Sequence, residues 1–136
     1  MFQHSIFTCA LSALLLLSAC SQSAVSDVNS VLNARDHAIS ERNITAYAAQ
    51  INDTYHDRGK NKADIVAYMQ KLFEQFSDLK MHSFGRDIFI ADENNARAAQ
   101  SYRLKVLMDG SWRDMLQREE LSLTRTDTGW KISAGL

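Results

Sequence analysis

A chain of 136 residues with 15 Lys and Arg against 16 Asp and Glu carries a formal charge of −1. With no basic run and no aromatic-basic stripe, it lacks the footprint of a nucleic-acid binder, and none is expected as a partner. Its two cysteines, Cys9 and Cys20, both lie near the N-terminus.

Met1 to Ala19 contains no Asp, Glu, Lys or Arg. Ile6 to Ala19 is mostly apolar but shorter than the ~20 residues that span a bilayer as a helix. Residues 1–19 therefore read as a secretory signal peptide, and they stand apart from the folded domain. The segment ends in Leu17-Ser18-Ala19-Cys20. This resembles the lipobox of bacterial lipoproteins: a branched apolar residue, two small ones, then Cys. The resemblance implies cleavage before Cys20, diacylglycerol on its thiol and an acyl chain such as palmitate on its new amine. Several acyl chains at ~0.8 kcal/mol per buried methylene make a stable anchor where one is marginal. Ser21, where inner-membrane lipoproteins commonly carry Asp, resembles the class sorted to the outer membrane, which places the protein on its periplasmic face. The one departure is an n-region without Lys or Arg.

Once Cys9 leaves with the signal and Cys20 carries lipid, the domain has no disulfide, no thiol nucleophile and no cysteine-held metal. No metal and no other cofactor is expected. The chain after Cys20 is long enough for one core and too short for two. Residues 20–26 read as a lipidated polar tether, in which Ser21 to Ser26 reach at most ~20 Å at 3.3–3.6 Å per residue. Residues 27–136 then form one domain.

From Asp27 the pattern turns helical. Val28, Val31, Leu32, Arg35 and Ile39 form one stripe, with Ser26 or Asp27 as cap and Asn43 as stop. A shorter second helix carries Ile44, Tyr47, Ala48 and Ile51 on one face, and Tyr55 continues the stripe. His56-Asp57-Arg58-Gly59 reads as a loop. Asn61, with Asp64 three residues on, caps a third helix burying Ile65, Tyr68, Met69, Leu72 and Phe76, with Phe73 at its edge.

Leu79 to Ala91 reads as a strand with a bulge near Ser83-Phe84-Gly85, and Ile88 and Ile90 point inward. Ala96 to Leu136 reads as a three-strand meander. Asp109-Gly110 suits a two-residue type I′ turn, which sets Met108 opposite Ser111. The turn at Thr126-Asp127-Thr128-Gly129 sets Arg125 opposite Trp130, Leu123 opposite Ile132 and Leu121 opposite Ala134. Both hairpins place the apolar residues on one face, as a correct register requires.

That register puts Gln100 opposite Glu119 and Tyr102 opposite Gln117, in the middle of an otherwise apolar face. Polar groups there need partners. One reading is a ligand pocket lined by Gln100, Tyr102, Gln117 and Glu119, with Arg35 of the first helix as counter-charge to Glu119. The others are a solvated end of the sheet and a contact with a second subunit. His56-Asp57 is a weaker proton-transfer pair, while His37 and His82 have no metal-ligand spacing.

The expected fold class is α+β: three N-terminal helices packed on a curled four-stranded antiparallel sheet. The order of elements, with Ala38, Arg42-Asn43-Ile44, the Tyr47 to Tyr55 stretch and Gly129-Trp130-Lys131-Ile132, resembles the nuclear transport factor 2-like (cystatin-like) superfamily. Its small polyketide-cyclase-like domains are the most similar. The resemblance covers Asp27 to Leu136. It implies a cone with a ligand cavity and, in many members, a homodimer through the sheet. Ketosteroid isomerases and dehydratases of the superfamily use an inward carboxylate as base with Tyr or His as acid. Glu119 and Tyr102 are the residues here that fit those parts, although no catalytic signature matches residue for residue.

Three functional readings follow. The first is an envelope lipoprotein whose cone binds a small apolar ligand or a partner protein without catalysis. The second is an isomerase, lyase or hydrolase acting on a small hydrophobic substrate. The third is an interaction module using the outer sheet face, with Arg97, Ala99, Ser101, Arg103 and Lys105.

Overall fold

The computed structural model describes residues 12–136, with side chains from Cys20 onward. The n-region, Cys9 and the start of the apolar segment lie outside these residues. Helix α1 (Ser12–Ser40) is followed by α2 (Ile44–Ala49), a small hairpin β1 (His56–Asp57) and β2 (Lys60–Asn61), then α3 (Lys62–Gln75). Strands β3 (Asp78–Ile90), β4 (Asn95–Met108), β5 (Ser111–Thr126) and β6 (Gly129–Ala134) form one antiparallel sheet in sequence order. The expected α+β class is the observed one.

Helix α1 does not begin at Asp27. Residues 20–26 are helical, so Ser26 and Asp27 are interior positions, and Ser30 Oγ donates back to the Ser26 carbonyl at 3.1 Å. The stretch contains neither Gly nor Pro, and nothing in it breaks the helix. At 1.5 Å per residue it advances ~9 Å, about half the reach of an extended tether. Among the described residues no helix is long and apolar enough to cross a membrane.

The stop of α1 is a Schellman turn. Arg42 adopts φ 54°, Asn43 N–H bonds the Ala38 carbonyl at 2.9 Å, and Arg42 N–H bonds Ile39 at 3.0 Å. The left-handed arginine is held by its own guanidinium, which donates to the carbonyls of Ser77 and Phe73 at the end of α3. Asn43 begins the next helix, its side chain accepting from Ala46 N–H at 3.0 Å.

Helix α2 stops at Ala49, earlier than its apolar stripe implied. Ile51 instead bridges to Ile132 in parallel, and Asn52 N–H donates to the Ile132 carbonyl at 2.8 Å. The stretch read as a loop at His56–Gly59 is the β1–β2 hairpin. Arg58 (φ 48°) and Gly59 (φ 75°) supply the two positive φ angles of its turn, so X-Gly carried the same signal here as Asp109-Gly110. His56 is exposed and Asp57 accepts from Gly135 N–H at 3.2 Å, so the two do not form a proton-transfer pair. The Asn61–Asp64 capping box forms as expected. The inner face of α3 keeps Ile65, Met69, Leu72 and Phe76 as expected, but Phe73 is buried rather than at the edge and Tyr68 is 61 % exposed. The reason is that part of its inner face looks onto a cavity rather than onto packed side chains.

The β4–β5 register runs without interruption from Met108↔Ser111 to Asn95↔Thr124, as the two-residue turn requires. On β6, Arg125↔Trp130 and Leu123↔Ile132 hold, but Ala134 lies opposite Ser122 rather than Leu121. A one-residue bulge at Ser133 moves it. Two residues on, Gly135 (φ 102°) passes so close to β5 that a Cβ would collide with the Glu120 carbonyl oxygen. The core joins Val28, Leu32 and Ile39 of α1 to Leu121, Leu123, Trp130 and Ile132 of the sheet, with Ala96 and Ala98 small enough to admit the helix.

Candidate functional site

A cavity of about 830 Å³ lies between α1, α3 and the concave face of the sheet. Ile39, Ile65, Met69, Leu72, Leu79 and Leu104 form its apolar walls. Leu72, read from sequence as a buried residue, is only partly buried because it borders this space, and so is Leu104.

Its floor is an ion pair. Arg35 is 1 % exposed, and its Nη2 donates to Glu119 Oε1 at 2.6 Å and to Asp36 Oδ1 at 3.2 Å. Burial alone would push Arg35 down, but the combined attraction of Glu119 and Asp36 outweighs it and raises the guanidinium above its ordinary value. Gln100 Nε2 donates to the same Glu119 oxygen at 2.7 Å, so the pairing expected from the register is a direct hydrogen bond. Gln100 is fully buried behind Glu119 and does not line the cavity; it acts on the cavity through Glu119. Tyr102 and Gln117 do line the cavity, Gln117 from an exposed part of β5. Burial first, and Glu119 next, raise the Tyr102 hydroxyl above its ordinary pKa.

Arg86, Asp36 and Tyr47 belong to the site and were not read from sequence. Between Phe84↔Ser101 and Asp87↔Ala99, the two residues Gly85 and Arg86 face the single Gln100. Gly85 at φ 61° makes this a bulge of the glycine type, and it turns the Arg86 side chain onto the concave face. Arg86 Nε then donates to Gln100 Oε1 at 2.6 Å, and Nη1 donates to Asn33 Oδ1 at 2.8 Å and Asn29 Oδ1 at 3.0 Å. Its Nη2 lies 4.0 Å from Asp36 Oδ2, and that oxygen also accepts from Ser83 N–H at 3.2 Å. Arg86 is an obligate donor and Glu119 accepts, so the Gln100 amide has one usable orientation. The bulge was legible in Gly85, but its consequence for Arg86 was not.

Tyr47, from α2, is 2 % exposed and borders the cavity, and among the described residues no hydrogen bond holds its hydroxyl. Burial pushes that hydroxyl well above the ordinary tyrosine range, partly offset by Arg35. His37, His56 and His82 are exposed and away from the cavity. Among the described residues no cluster of His, Cys, Asp and Glu could hold a metal ion. Cys20 is exposed on α1.

Neither the known family models nor the curated proteins include a match to this chain. Solved structures match over most of it. A nuclear transport factor 2-like protein with a cystatin-like fold from Novosphingobium aromaticivorans superposes with TM-score 0.76 at 10% identity, covering 94% of this chain and 89% of that one. A protein from Streptomyces avermitilis, provisionally assigned as a dehydratase of the same family, gives 0.72 at 10% identity, covering 84% and 94%. A provisionally assigned scytalone dehydratase from Novosphingobium aromaticivorans gives 0.74 at 10% identity, covering 87% and 85%. The fold is that of the nuclear transport factor 2-like, cystatin-like proteins.

Proposed function

We propose that the chain is an envelope lipoprotein, anchored through acylated Cys20, whose cone holds a small and mainly apolar ligand. The observation that carries the binding reading is the floor of the cavity: a buried ion pair, held rigid by Gln100 and Asp36, beneath apolar walls. An apolar cavity with a few convergent polar groups is the usual form of a ligand site. The anchor rests on Leu17-Ser18-Ala19-Cys20, with Cys20 exposed on α1. Native mass spectrometry of the protein taken from its own cell envelope tests both parts. A protein carrying acyl groups and a non-covalent small molecule is the expected species; bare protein without either would overturn the proposal.

The second reading is a lyase or isomerase, and it is favoured by the similarity to structures assigned as dehydratases. Glu119 Oε1 is engaged by two donors, so only Oε2 would be free to take a substrate proton, with Tyr102 as acid. Turnover of the recovered ligand by the purified protein, abolished in Glu119→Gln, would decide for this reading.

Phe84, Phe89, Trp112 and Leu116 stand exposed on the convex face, on strands β3 and β5. This face is the proposed homodimer surface, and sedimentation of wild type against Leu116→Glu tests it.

A further inference from the structure

We propose that the ligand of this cavity is uncharged and carries at its buried end a group that both donates and accepts a hydrogen bond, as a hydroxyl does. The inference rests on the ligand-binding reading and adds the chemical class of the ligand.

The charges beneath the floor cancel. Arg35 and Arg86 face Asp36 and Glu119 in one connected network, with contacts at 2.6 Å, 3.2 Å and 4.0 Å. An anionic ligand head approaching Arg35 would meet Glu119 and Asp36 in the same place. A cationic head approaching Glu119 would meet Arg35 and Arg86. Either would have to displace an existing partner and leave a buried charge uncompensated, which is the costly arrangement. The further charges at the mouth, Arg58, Arg118 and Glu120, are exposed and screened by solvent.

The polar atoms left open on the floor specify the rest. Among the described residues Arg35 uses Nε and Nη2 and has no acceptor on Nη1, while Glu119 uses Oε1 and has no donor on Oε2. No buried side-chain nitrogen or oxygen among those residues lacks a partner, so these two atoms open onto the cavity that both residues line. The Tyr47 hydroxyl, likewise free, borders the same space. A donor, an acceptor and a hydroxyl that can be either thus border one cavity with apolar walls. A hydroxyl satisfies donor and acceptor together; a bare hydrocarbon leaves both unmet, and a buried polar group left unmet is destabilising.

Four probes of one size separate the possibilities: naphthalene, 2-naphthol, 2-naphthoate and 2-naphthylmethylammonium, titrated against the purified chain at neutral pH by fluorescence or calorimetry. The expected order places 2-naphthol at least about tenfold tighter than each of the other three, since a hydrogen bond to a charged group has that effect. In Tyr47→Phe 2-naphthol should lose part of its margin over naphthalene and keep the rest, because Arg35 Nη1 and Glu119 Oε2 remain in place. Equal binding of all four overturns this inference while the cavity still binds apolar molecules. Tightest binding of the carboxylate or the ammonium overturns it as well. Failure of every probe to bind overturns the ligand-binding reading with it.

Discussion

Arg35 and Glu119, 84 positions apart in the sequence, meet at 2.6 Å beneath the cavity, and the guanidinium is almost wholly removed from water. A buried pair of this kind contributes little net stability, but losing one partner leaves an unpaired charge. Glu119→Leu should therefore destabilise the fold by about 3 kcal/mol, near the low end of the usual 3–5 because Asp36 remains beside Arg35. Replacing both, as Arg35→Met with Glu119→Leu, should recover most of that loss. Urea denaturation of the four proteins measures it; additive losses in the double variant would contradict the pairing.

Arg86 acts on Glu119 through Gln100. Arg86→Met should free the Gln100 amide to turn, and Arg86 and Gln100 should be coupled by about 1–3 kcal/mol in a double-mutant cycle on stability. A coupling near zero would mean that the bulge places Arg86 without consequence.

Tyr47 makes stability depend on alkaline pH. Its folded pKa lies above the unfolded value of about 10, so the neutral hydroxyl is favoured by folding. The contribution is fully present below about pH 10 and is lost as pH rises from there toward the folded value. Stability of the wild type should fall more steeply above pH 10 than that of Tyr47→Phe, measured by denaturation at a series of pH values. Parallel curves would place Tyr47 in contact with solvent.

Ile132→Ala and Leu121→Ala should each cost about 2–5 kcal/mol, as large-to-small changes in a closed core do. Gly135→Ala should also destabilise, because its Cβ would meet the Glu120 carbonyl oxygen and its φ of 102° disfavours a side chain. Thermal unfolding checks all three. Unchanged midpoints would reverse the assignment of faces on β5 and β6.

The meander was readable because a two-residue turn ties every later pair to it: Asp109-Gly110 alone determines that Gln100 meets Glu119. Where a bulge intervenes, that inheritance fails, as at Ser133, which shifts Ala134 to Ser122. The bulge at Gly85 is the instructive case. A glycine in a strand signals a bulge, but nothing local says that the following arginine will turn inward and find Gln100, Asn29 and Asn33. Those partners come from β4 and α1, so the signal is tertiary. Tyr68 was misplaced for a related reason, since a periodic apolar face reads the same whether it packs on side chains or borders a cavity. Acylation of Cys20 is a proposal that rests on its four-residue motif. Fatty-acid labelling of wild type against Cys20→Ser tests it, with labelling expected only in the wild type.

The cavity as a ligand site is tested most directly by filling it. Leu72 lies on its wall, and Leu72→Trp would occupy part of the space from α3 while leaving Arg35 and Glu119 unsubstituted. Native mass spectrometry of both proteins, recovered from the same envelope, should show a small-molecule adduct on the wild type and none on Leu72→Trp. A wild type without adduct, or an adduct retained undiminished by the filled variant, would contradict the assignment of this cavity as the binding site.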